Sequence, residues 1–168
     1  MDVRFVRPFV AAIHTVFKTM LNTEVQIGTP HATIESGNRA DVSSVIGFSG
    51  QATGCVVLSF PSEVACKVAS AFASIPLDEK HPDFSDAIGE LANMVAGNAK
   101  KDFSGMQVNI SLPNVIVGKD HIVTRSRMFP RVVFPCSCDL GDFEIKVAVK
   151  AEQVGSSAAG AMAAASAG

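Results

Sequence analysis

The stretch DAIGELANMVAGNAKK, residues 86–101, places Ile88, Leu91, Ala92, Val95 and Ala99 at three- and four-residue steps. That spacing predicts an amphipathic helix with one buried face. The helix is expected to start near Asp83 or Ser85, either of which suits an N-cap, and to run to about Phe103, with Gly105 just past its end. Asp86, Glu90, Asn93, Gly97 and Lys100 recur on the opposite side. Glu90 and Asn93 are three residues apart, so a carboxylate and a carboxamide stand side by side. Gly89 and Gly97 flank them, and each mid-helix glycine costs about 1 kcal/mol relative to alanine. Bare backbone at those positions predicts a surface that a second molecule can approach closely. The plain alternative is a solvated face with helix-packing glycines, and spacing by itself does not separate the two.

Outward from this helix, residues 4–21 read as another, with Pro8 in the first turn, where its missing N–H is no loss. Short β segments are expected at Glu24–Gly28 and Ala32–Glu35, and fuller strands at Val42–Phe48 and Gly54–Phe60. Pro61 or Ser62 opens a helix to about Ser74, and Ile75–Pro82 is a connector. Beyond the 86–101 helix come Gln107–Ser111 with Val115–Val117, then Arg131–Cys138 and Phe143–Lys150 joined by a turn at Asp139–Asp142. Residues 118–130 read as polar and partly irregular. The order is α+β, and a long helix followed by strands occurs twice, which suggests a duplicated unit. The first helix has Val10-Ala-Ala-Ile-His14 where the second has its acid-amide pair, so any chemistry is expected on the second copy alone.

A chain of 168 residues makes about one domain with a real core. Residues 1–153 are assigned to it, and 154–168 form an Ala/Gly/Ser-rich low-complexity tail with no core pattern. A net charge of −2, with neither Trp nor Tyr, offers no basic field and no stacking platform, which argues against nucleic acid. No apolar run approaches the roughly 18 residues of a membrane span, so the expected location is cytoplasmic. Cys136-Ser-Cys138 is half of a metal pattern without a second half, so buried reduced thiols are the better expectation and no metal is assigned.

Asp86-x-x-x-Glu90-x-x-Asn93, followed by Gly97-Asn98, resembles the signature of the CheC/CheX/FliY family of chemotaxis phosphatases. FVRPFVAAIHTVFKTML, DVSSVIGFSGQATGCVVLSFP and NISLPNVIVGKDH are similar to its CheX branch, so the likeness extends over about residues 3–150. It implies a CheC-like, mostly antiparallel sheet covered by long helices. It further implies hydrolysis of the phosphoaspartate of a CheY-type response regulator. Asn93 would enter the regulator's active site and orient an in-line water, Glu90 would bind the regulator's lysine, and Asp86, Gly89 and Gly97 would serve docking. The resemblance assigns Mg2+ to the regulator, with no cofactor of this chain's own, and a homodimer. Two departures stand out: Pro113 lies closer to Asn93 than the family pattern has it, and Cys136-Ser-Cys138 replaces the usual Phe and Thr. A catalytically silent regulator-binding or scaffold module would keep the fold without needing an amide at 93, and a metal or redox sensor would be built on Cys136 and Cys138.

Overall fold

The structure is a computed structural model describing residues 5–33, 40–103, 105–123 and 131–151. Along the chain come α1 (Arg7–Leu21), β1 (Gln26–Ile27), β2 (His31–Thr33), β3 (Ala40–Gly50), β4 (Ala52–Phe60), α2 (Ser62–Ala73), α3 (Phe84–Lys101), β5 (Val108–Ile110), β6 (Asn114–His121), β7 (Arg131–Cys138) and β8 (Gly141–Ala151). The expected tail at 154–168, and residues 124–130 of the segment expected to be irregular, lie outside the described residues.

One sheet takes the order β1-β7-β8-β4-β3-β5, with β2 also on β7 and β6 also on β3. Every pair is antiparallel. The pairing is an exchange between two halves. β4 and β8 meet at the centre, each beside its own hairpin partner, β3 or β7. The short strands then cross over: β1 and β2 complete the edge of β7, while β5 and β6 complete that of β3. α1 and α3 open the two matching runs, which is the duplication expected from the element order, and α2 has no counterpart among the described residues.

Strand alternation sends Val42, Ile46 and Phe48 of β3, Val56, Leu58 and Phe60 of β4, and Ile145, Val147 and Val149 of β8 into one core. The helices cover that face. Phe17 of α1 stacks on Phe143 at 4.8 Å, and Phe9 meets Phe48 edge-on at 5.6 Å. Each such side chain contributes about 1.5–3 kcal/mol on burial. α2 takes its first turn from the sheet: Asp41 Oδ2 accepts the Ser62 N–H at 2.9 Å, doing a cap's work from β3.

The opposite face carries a buried polar line that fastens β6 to the sheet. His121 Nδ1 lies 2.7 Å from the Gly118 carbonyl, which can only accept, so that nitrogen carries the proton. In the neutral ring Nε2 then accepts from Ser43 Oγ at 2.8 Å. Ser43 in turn meets Ser59 at 3.1 Å, and Lys146 Nζ donates to Ser59 at 3.4 Å while pairing with Glu144 at 3.2 Å.

Three expectations are corrected. β6 runs to His121, well past the predicted Val117, because it is an edge strand whose mostly exposed side chains leave no hydrophobic alternation to read. Ser85 lies inside α3. Asp83 takes the N-cap position, but its side chain makes no cap bond and sits 3.9 Å from His81 Nδ1 instead.

Candidate functional site: an outward stripe of helix α3

α3 buries Phe84, Ala87, Ile88, Leu91, Ala92, Val95, Ala96 and Ala99 against the sheet and its neighbouring helices. At 3.6 residues per turn, this leaves Asp86, Glu90, Asn93 and Gly97 in one stripe along the other side. Asp86 and Glu90 are exposed, while Asn93 and Gly97 are half-buried. Among the described residues, neither the Glu90 carboxylate nor the Asn93 carboxamide has a hydrogen bond or an ion pair. Asp86 in the first turn and Lys100 and Lys101 in the last complement the helix dipole. Asn98 is different: its Nδ2 turns back to the Met94 carbonyl at 2.8 Å.

The two glycines do different work. A Cβ at Gly97 would meet nothing within 4 Å, so the backbone there is open. Gly89 is buried, and a Cβ on it would stand 3.2 Å from Pro113 Cγ and 3.3 Å from Val115 Cγ2. Gly89, expected to serve docking, has its missing side chain make room for the chain's own β5–β6 loop. That loop is the feature sequence reasoning missed. It is fixed by Ser111, whose N–H donates to the Gly47 carbonyl at 2.9 Å, and whose Oγ accepts the Gly47 N–H at 2.9 Å and donates to the Leu112 carbonyl at 2.8 Å. Leu112, between Ser111 and Pro113, is 86% exposed. The sequence offers only a leucine beside a proline, and nothing in it shows that the side chain is left uncovered.

On α1 the same spacing selects Arg7, Ala11, His14 and Lys18, all exposed, with Lys18 ion-paired to Glu24 at 2.6 Å. The first copy thus has no acid-amide pair. Cys136 and Cys138 share the helix-covered side of β7, where burial pushes the Cys136 thiol up to about 12. Among the described residues, no three His, Cys, Asp or Glu side chains cluster as metal ligands do, and no helix is long and apolar enough to cross a membrane. A cavity of about 410 Å3 has Ser59, Pro135, Ser137, Asp142 and Glu144 in its lining, all outside α3.

An antiparallel sheet layered under helices, with a carboxylate and a carboxamide on an outward helix face that have no partner among the described residues, defines an α+β domain whose candidate chemistry is turned outward. The chain belongs to the CheX branch of the CheC/CheX/FliY chemotaxis phosphatase superfamily. The family profile described as chemotaxis phosphatase CheX matches residues 42–137. The "CheY-P phosphatase CheX" of Thermotoga maritima is 32% identical over 123 residues, 71% of this chain and 79% of that protein. A crystal structure of a chemotaxis protein CheX from Desulfovibrio desulfuricans superimposes with a TM-score of 0.79 at 28% identity, over 88% of this chain and 99% of the other. The fold also matches the CheX of a CheX–CheY–BeF3–Mg2+ complex from Borrelia burgdorferi, with a TM-score of 0.73 at 23% identity, over 87% and 97% of the two chains.

Proposed function

We propose that this chain hydrolyses the phosphoaspartate of a CheY-type response regulator. The observation that carries the reading is the Asn93 carboxamide, held without a partner among the described residues on the outward side of a helix whose other face is locked into the core. Docked on the regulator, Asn93 accepts a hydrogen bond from a water and aims its lone pair at phosphorus, opposite the aspartyl oxygen. The phosphorus–oxygen bond to the aspartyl group breaks, and carboxylate and inorganic phosphate leave. An amide suits this work because it positions water without becoming charged. The acyl phosphate is already activated, so placement is the gain this chain supplies.

Glu90, exposed one turn away, pairs with the regulator's lysine and fixes the docking geometry. The regulator supplies its own Mg2+, which offsets charge on the phosphoryl oxygens. The reaction belongs in the cytoplasm. The same reading makes the chain a homodimer, supported by the outer edge of β6, which pairs with no further strand among the described residues, and by the partly exposed Ile116 and Val117.

The test is phosphate release from the organism's phosphorylated regulators. Asn93→Ala is expected to keep its affinity for the beryllofluoride-activated regulator while losing about 10²-fold in turnover, the scale of a misplaced reactant. Glu90→Lys should weaken docking itself, by about 2–5 kcal/mol. Phosphate release by Asn93→Ala at the parent rate would overturn the water-positioning role, and a parent chain that binds the regulator without releasing phosphate would be a silent binding module.

A further inference from the structure

We propose that Leu112 is the apolar anchor that seats the regulator's receiver domain against α3, and thereby helps decide which regulators this chain accepts. The inference rests on the phosphatase reading above and deepens it. A single exposed leucine on a protein surface is ordinary. Leu112 differs in how it is held. Ser111 on one side makes three hydrogen bonds, two to the Gly47 backbone and one to the Leu112 carbonyl itself. Pro113 on the other side packs into the space left by Gly89. An 86% exposed side chain is thus presented by a loop that has already lost its freedom, so little ordering cost remains when something covers it.

The occupant follows from position. Pro113 touches α3 at Gly89, the residue before Glu90. Summing the two Cα steps and the contact puts the Leu112 Cα within about 15 Å of the Glu90 Cα. A standard interface of about 800 Å2 on each partner is about 30 Å across, so a receiver domain engaged on Glu90 and Asn93 reaches Leu112 in the same footprint. The contact is apolar and remote from the phosphorus. It holds the docked complex in ground state and transition state alike, which changes the half-saturating regulator concentration and leaves the saturated rate alone. A receiver offering an apolar depression opposite Leu112 is preferred over one offering a charged side chain there.

The experiment follows phosphate release by the full chain over a range of phosphorylated regulator concentrations, for the parent, Leu112→Ser and Leu112→Met. Leu112→Ser should raise the half-saturating concentration at least about tenfold, equivalent to about 1.4 kcal/mol. Its saturated rate should stay within about twofold of the parent, the opposite of the split expected for Asn93→Ala. Leu112→Met, similar in size and apolar, should restore the parent value. An active parent with an unchanged half-saturating concentration in Leu112→Ser would overturn the anchor and leave the phosphatase reading standing. A Leu112→Ser chain that sediments as a smaller species than the parent would also overturn it, because a second copy would then be what covers Leu112. If the parent accelerates phosphate loss from none of the regulators, the phosphatase reading fails and the anchor fails with it.

Discussion

Gly89 and Gly97 stand on the same helix, and alanine should act on them in opposite directions. In a helix interior the exchange gains up to about 1 kcal/mol at either site. At position 97 nothing opposes that gain, since the new Cβ meets no atom within 4 Å. At position 89 the Cβ would lie 3.2 and 3.4 Å from two carbons of Pro113 and 3.3 Å from Val115 Cγ2. A proline ring has no rotamer to swing away, and the backbone before it is held by Ser111. Overpacking of this kind costs about 1–3 kcal/mol. Gly89→Ala should therefore lose between about 0 and 2 kcal/mol net, and Gly97→Ala should gain about 0.5–1. Urea unfolding followed by circular dichroism measures the difference, with unchanged m-values as the check that both variants remain two-state. The two midpoints should fall on either side of the parent. If Gly89→Ala moves the midpoint up as far as Gly97→Ala does, the loop is not packed on the helix as described, and the fixed presentation of Leu112 goes with it.

Other substitutions test the sheet. Ser44 Oγ is fully buried and, among the described residues, has no hydrogen-bond partner, so Ser44→Ala should stabilise the fold by about 1 kcal/mol in the same urea measurement. Backbone N–H groups of Ser62 and Asp120 bind the charged form of Asp41 and hold its carboxyl below the ordinary 3.8. The unfolded chain takes up that proton first, so the contribution of Asp41 is complete above about pH 3.8 and is lost as pH falls through the lower folded value. Asp41→Asn should be less stable than the parent at neutral pH, and the gap should narrow on acidification below pH 3.8 in a series of urea melts.

The sequence made α3 legible because its apolar stripe persists through five turns and packs on one side. The end of α1 and the bounds of α2 follow for the same reason, with Pro61 marking the start of α2, whereas α1 begins at Arg7 and not at the expected residue 4. The full length of β6 was not legible, because Gly118-Lys119-Asp120-His121 pairs through its backbone and through His121, with side-chain polarity that reads as loop. The acid-amide pair could be placed outward from spacing alone. The roles of the two glycines could not: they look alike along the helix, and only the return of Pro113 from a distant segment separates them. Leu112 escaped for a related reason, since exposure of an apolar residue depends on what the fold fails to bring over it.

The exchange of short strands between the halves bears on how the chain matures on the ribosome. β1 and β2 leave the exit tunnel with no partner, because β7, the strand they pair with, begins at Arg131. At about 5–20 residues per second, the intervening roughly 100 residues keep those amino-terminal strands waiting on the order of 5–20 s. β8, the strand that β4 pairs with, follows β7 in the chain, so the middle of the sheet is among the last parts to close. A truncated transcript ending before Arg131 would leave half the sheet with bare edges, a natural target for holdase chaperones and proteases.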